Sequence, residues 1–215
     1  MSDVAPPPPP PAPPGGSYSG QPGPSPVQLN LDSPLEVARW RVIGNPIMAI
    51  PLFIWLYLLQ IAFGIVTFIA WFAILFTGKF PESMFDFCAG VMRYQWRVST
   101  FYLFMREPYP TFSVVSTTAD PGDDQATFSI TYPEKLSRGL IFIKWLLVIP
   151  VFIVLFVYGI GALIALIVAF FTVLITGKYP ESWKSYLIRV MRLGYRANAY
   201  YNLMTDVYPG FSIQE

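Results

Sequence analysis

The chain contains no histidine and a single cysteine, Cys88, and these two scarcities remove whole classes of function. Without histidine there is no imidazole for general base work, and the commonest metal ligand is missing. One cysteine cannot close an intramolecular disulfide, and no metal-ligand spacing is present. There is no Gly-x-Ser-x-Gly elbow and no phosphate-binding glycine loop. Glu82-Ser83 and Glu181-Ser182 set a carboxylate beside a hydroxyl, but adjacent residues on a helix do not face each other. Asp123-Asp124 reads as a solvated loop pair. An enzyme is not expected, and no catalytic, cofactor-binding or metal-binding residue is nominated.

Charge is scarce as well. Charged residues make up 13% of the chain, against about 25% in a soluble globular domain. Two stretches, Val42 to Gly78 and Trp145 to Gly177, hold no charge at all. Each far exceeds the roughly 20 apolar residues that cross a bilayer, so a membrane protein is expected. Ionisable groups inside a membrane mark coupled transport; their absence from both stretches argues against a pump and leaves a passive transporter as a weak alternative. A net charge of +1 gives no reason to expect a nucleic-acid partner. Met1 to Asn30 lacks the basic and short apolar regions of a signal peptide, so insertion is expected to use the first apolar segment itself.

What is present is a repeat. Leu75-Phe-Thr-Gly-Lys-Phe-Pro-Glu-Ser83 returns as Leu174-Ile-Thr-Gly-Lys-Tyr-Pro-Glu-Ser182, an offset of 99 residues. Between Leu75–Val114 and Leu174–Ile213, 17 of 40 positions are identical without a gap. The spacing divides the chain into a disordered proline-rich tail (1–26), a first membrane repeat (27–115), a loop (116–126) and a second membrane repeat (127–215). Each copy opens on a short alternating segment, Val27 to Asp32 or Thr127 to Tyr132. Each closes on Tyr-Pro-x-Phe-Ser, from Tyr109 or Tyr208, and opening and closing segments are expected to pair as short cytoplasmic strands.

The uncharged stretches run for 37 and 33 residues. A straight helix of the first length is about 55 Å long, well beyond a hydrocarbon core of about 30 Å. Gln60 to Gly64 and Gly159-Ile-Gly161 read as break signals. If each stretch folds back as a hairpin, all 14 Lys and Arg lie on one side; single crossings split them evenly. The positive-inside rule favours the hairpins. The expected fold is therefore an all-α membrane protein of two tandem repeats, each a transmembrane helical hairpin plus an interfacial amphipathic helix. Both termini are expected in the cytoplasm of a multi-pass protein of the inner (plasma) membrane, and the two copies to be related by an axis along the membrane normal.

The amphipathic helix follows the Thr-Gly-Lys turn in each copy. Its charges form a narrow stripe (Glu82, Asp86, Arg93, Arg97; Glu181, Arg189, Arg192, Arg196) and the rest of its surface is apolar, which suits the lipid interface. Arg93 and Arg97, with Arg192 and Arg196 at the same repeat positions, are candidate lipid-headgroup contacts. The competing reading is a solvated helix face paired with Glu82 or Asp86. Lys79 and Lys178 are candidate headgroup contacts too, although a basic residue at the end of a membrane helix ordinarily serves as an anchor.

Ala49-Ile-Pro51, Phe68 to Pro81, Val91-Met-Arg93, Arg97 and Tyr109-Pro-x-Phe-Ser113 together resemble the bacterial membrane proteins grouped as the domain of unknown function 4389 family. The resemblance covers about Val27 to Glu215 and is closer in the first copy. It implies the architecture and a bacterial inner-membrane location, and leaves activity open. The functional expectation is a non-enzymatic scaffold binding partners, including other membrane proteins, at the cytoplasmic leaflet. The alternative is an anionic-lipid-binding or membrane-shaping protein, with membrane lipids as its partners.

Overall fold

A computed structural model describes residues 25–123 and 125–213; the expected proline-rich tail falls almost wholly outside them. The elements run β1 (Val27–Leu31), α1 (Arg41–Met48), α2 (Ile50–Thr77), α3 (Glu82–Tyr102), β2 (Ala126–Ile130), a 3-10 turn (Leu140–Phe142), α4 (Lys144–Leu147), α5 (Ile149–Thr176) and α6 (Glu181–Tyr201). α2 and α5 are both long and apolar enough to cross a membrane.

The expected hairpins within the uncharged stretches are not formed. α2 and α5 are each one continuous 28-residue helix, running straight through Gly64 and through Gly159 and Gly161. A glycine costs a helix only about 1 kcal/mol, and in apolar surroundings an abandoned backbone hydrogen bond costs more. The regular helix is interrupted earlier, at Ala49 and Val148, where Pro51 and Pro150 occupy the first turn of the next helix, a place that tolerates a missing N–H. Both helices end on a left-handed glycine, Gly78 at φ 74° and Gly177 at φ 73°.

The hairpin that does form joins each apolar helix to the basic helix after it. Asn45 donates to the Phe101 carbonyl at 2.9 Å, and Gln60 to Gln95 at 3.0 Å. The rings of Phe53 and Tyr102 meet edge to face at 5.2 Å, so α3 runs back along α2. In the second copy the Tyr186 hydroxyl donates to the Tyr158 carbonyl, and Phe152 meets Tyr201.

β1 and β2 pair antiparallel with Leu29 opposite Phe128. Those residues are equivalent at the 99-residue offset, so a local twofold axis normal to the sheet passes between them and relates the copies. The arms are exchanged across it. Val37 N–H donates to the Gly177 carbonyl at 2.8 Å, and its counterpart Leu136 donates to the Gly78 carbonyl at 2.9 Å. The closing segments do not join the sheet as expected. Val114 and Val115 lie instead against Gly90 of α3, where any Cβ would come within 2.7 Å of the Val115 carbonyl oxygen.

α3 is the most enclosed helix rather than an interfacial one. Phe85, Ala89, Val91, Arg93, Trp96 and Phe101 are all buried on it. Its charged stripe faces the sheet, while Gln95 and Tyr102, about half a turn away, meet α2. The order is thus sheet, then α3 and α6, then α2 and α5. Leu52, Leu56, Leu59, Phe63, Ala70 and Ile74 turn inward from α2, and Ile54, Ile61, Ile65, Phe68, Phe72 and Phe76 form an exposed stripe on its far side. Ile153, Phe156, Ile160, Leu163, Ile167 and Phe171 do the same on α5.

Candidate functional site

Two arrangements hold the charged residues singled out by the repeat. The first is a cluster beneath the sheet. Arg93 is 2% exposed, and its guanidinium donates to the carbonyls of Phe128, Val115, Thr117, Thr118 and Ala119. Its Nε also lies 3.4 Å from Asp120. Burial pulls its pKa down, and the Asp120 carboxylate opposes that. The side chain is a spacer that satisfies the loop between the copies, and it is not on the surface. Arg97 joins the cluster, 2.8 Å from Asp120 and 3.2 Å from Asp123, and Arg106 lies 3.1 Å from Asp123. Burial raises the Asp123 carboxyl, but backbone N–H groups of Ala126 and Gln125 and the cations Arg106 and Arg97 outweigh it, leaving its pKa below the ordinary value.

The headgroup role expected for Arg93 and Arg97 is therefore corrected. A buried guanidinium sheds its hydration only when its donors are met, and backbone carbonyls and carboxylates meet them here. The solvated alternative fails for the same reason. Asp120 and Asp123 are the residues that sequence reading missed, because an Asp-Pro-Gly-Asp loop looks like an ordinary solvated turn.

In the second copy, Arg192 repeats the central contact, its Nε donating to the Leu29 carbonyl at 3.2 Å. Arg93 to Phe128 and Arg192 to Leu29 are thus symmetric bonds across the axis. Burial lowers the Arg192 pKa and the neighbouring Arg196 lowers it further. Arg196 lines a cavity of about 100 Å³ with Ser25, Thr205, Val207 and Tyr208.

The second arrangement is a pair of basic turns at the ends of the apolar helices. Lys79 and Lys178 are exposed. The Thr77 and Thr176 hydroxyls accept from the N–H groups of Lys79 and Lys178, which shapes both turns. The left-handed glycine of each turn is overlain by an exchanged arginine. The Arg138 Nε sits 3.4 Å from where a Gly78 Cβ would be, and the Arg39 Nε sits 3.9 Å from where a Gly177 Cβ would be. Each turn therefore combines a lysine of one copy with an arginine of the other, at a helix C-terminus whose dipole favours cations. The Lys178 ammonium is 4.0 Å from Glu36 in a well-exposed pair.

Two further buried cations were not legible, Lys144, which lies 2.7 Å from Asp206, and Lys184. Lys184 is buried and donates to the Ser33 carbonyl, the Ser33 hydroxyl and the Pro34 carbonyl. Burial pulls its pKa down to about 8, with Asp32 opposing. Its counterpart at the repeat offset is Phe85, packed on Tyr132 at 5.0 Å. A lysine standing where the other copy has phenylalanine was the available signal.

A family model described as "Domain of unknown function (DUF4389)" matches the chain twice, over residues 40–114 and 138–212. Nothing among the curated proteins matches the chain, and no solved structure does. Both matched segments begin after the strands β1 and β2.

Proposed function

We propose a role for a chain that belongs, through both of its copies, to the DUF4389 family: it is a lipid-directed, non-enzymatic membrane protein that lies in one leaflet and shapes it. The observation that carries this reading is the one-sided apolar face of α2 and α5. Soluble monomers rarely expose apolar patches beyond a few hundred Å², and here two 28-residue helices present continuous apolar stripes.

The orientation follows from the layers. α3 accompanies α2 along its length, so an upright α2 carries α3, the Arg93–Asp120 pair and the sheet into the hydrocarbon, where charge is costly. Lying flat, α2 and α5 occupy a layer about 10 Å thick, within one leaflet of a core about 30 Å thick. All 14 basic residues then stay on one side, which the positive-inside rule places in the cytoplasm, and the twofold axis stands along the membrane normal. Lys79, Lys178, Arg39 and Arg138 ring this face at headgroup depth. A layer inserted into one leaflet enlarges that leaflet relative to the other, which is the physical basis of bending. A partner-binding scaffold on the cytoplasmic side is compatible with this placement, but no contact surface among the described residues singles it out.

Spin labels at Ile54, Phe68 and Phe76, in a protein whose Cys88 is buried, test the orientation in nanodiscs. Equal immersion depths at all three are expected. A progression from one headgroup region through the centre to the other refutes the in-plane arrangement. Giant vesicles receiving the protein from one side are expected to bud or tubulate, and unchanged shapes at full binding refute the shaping role.

A further inference from the structure

The two turns that end the apolar helices each carry a lysine and an exchanged arginine, but they differ in a third charge. In the second turn Glu36 stands antiparallel to Lys178, framed by the Val37 N–H on the Gly177 carbonyl and the Tyr179 N–H on the Leu35 carbonyl. The Glu36 carboxylate lies 4.0 Å from the Lys178 ammonium. The 99-residue offset carries Glu36 to Lys135. The Leu136 N–H meets the Gly78 carbonyl as Val37 meets Gly177, so Lys135 enters the first turn at the position that Glu36 holds in the second. Lys79, Lys135 and Arg138 are all exposed. Among the described residues none of the three forms an ion pair, although Glu82 and Glu134 are near in sequence.

A helix C-terminus favours cations, but that holds for both turns and does not distinguish them. A second lysine facing Lys79 is unfavourable by itself, because like charges in facing positions repel, and the second copy shows that the same backbone accepts a glutamate there. We infer that the first turn is a binding site for the phosphate of an anionic lipid, held by Lys79, Lys135 and Arg138, and that the second turn is not. The phosphate does for Lys79 what the Glu36 carboxylate does for Lys178. The inference rests on the lipid-directed reading above, which sets both turns at headgroup depth. A guanidinium fork with two ammonium groups suits the several oxygens of one phosphate, and basic clusters beside a membrane attract anionic lipids.

A zwitterionic headgroup brings its own cation, which this cluster repels, so the site selects lipids of net negative charge. Exposed cations gain little from an ion free in water, whereas a lipid in the leaflet is presented at high effective concentration. The source is therefore the lipid and not free phosphate.

The full chain in mild detergent is mixed with phosphatidylglycerol or with phosphatidylcholine, and the lipids kept on the protein are counted by native mass spectrometry. One phosphatidylglycerol per chain is expected above the level found with phosphatidylcholine. Lys135→Glu gives the first turn the second turn's pair, and is expected to remove that lipid with the melting temperature unchanged or higher. Glu36→Lys makes the converse change and is expected to raise the count from one to two, while Lys178→Gln leaves it at one. Equal retention of the two lipids overturns the inference, as does an unchanged count in folded Lys135→Glu or in folded Glu36→Lys. Displacement of the lipid by an excess of inorganic phosphate at constant ionic strength overturns the lipid source. The count does not depend on how the protein lies in a bilayer. Spin labels that report an upright α2 therefore refute the in-plane arrangement and leave this site standing, and a failed count at equal label depths does the reverse.

Discussion

Arg93 shows how one residue type takes opposite roles according to its surroundings. On a helical wheel it belongs to a polar stripe, the signature of a water-facing side. In the fold that stripe faces a loop whose carbonyls need donors, and a guanidinium with five N–H groups is the side chain that supplies them. Arg93→Met leaves those carbonyls and part of Asp120 unmet, so a loss of about 3–5 kcal/mol is expected, measured by chemical denaturation in detergent. Asp123 carries the acid sensitivity of the same cluster. Its folded pKa is lowered, so its contribution is present above the unfolded value of about 3.9 and is lost as pH falls through the folded value. Denaturation curves are expected to be insensitive to this group between pH 5 and 8 and to weaken below about pH 4. Asp123→Asn is expected to flatten that acid limb, and an unchanged limb counts against the assignment.

At the scale of elements, the two arms make equivalent contacts with different chemistry. One arm is held by Phe85 on Tyr132, the other by Lys184 on Ser33 and Pro34. Lys184→Met strands three acceptors, and a cost of roughly 1–3 kcal/mol is expected. The double change Lys184→Phe with Ser33→Tyr copies the first arm's pair and is expected to recover most of that loss. The pH dependence provides an independent check. The folded pKa of Lys184 is lowered from 10.5 to about 8, so the unfolded chain binds more protons between those values. Stability from this group therefore rises with pH across that window. Lys184→Met is expected to remove the rise, and an identical slope in both proteins refutes it. Gly78 and Gly177 belong to this scale too, since each ends an apolar helix at positive φ and offers its carbonyl to the other copy's arm.

For the whole molecule, the exchanged arms mean that neither repeat contains its own complete set of contacts. β2 follows α3 in the chain and covers it, but the strand covering α6 is β1, from the far end of the sequence. Deleting residues 1–31 is therefore expected to lower the melting temperature of the whole protein and to expose Arg192 by removing the Leu29 carbonyl. Limited proteolysis reads this directly, with new cleavage expected in α6. Cleavage confined to the deleted end's neighbours contradicts the closure.

The amino-acid sequence by itself determined the two-copy order, the apolar helices, the turns that end them and the equivalence of Arg93 with Arg192. All of these follow from composition and from local, periodic rules. The direction faced by a helix already apolar on most sides is not such a property. For α3, wheel position separates polar from apolar, but only the arrival of β2 and the Asp120 loop made the polar side the inner one. Hairpins were expected because a charge count and a helix length both demanded one-sidedness. The tertiary structure supplies one-sidedness differently, by folding the basic helix back along the apolar one. That choice depends on contacts such as Gln60 with Gln95 and Leu29 opposite Phe128, which join residues far apart in the chain and leave no periodic trace in it.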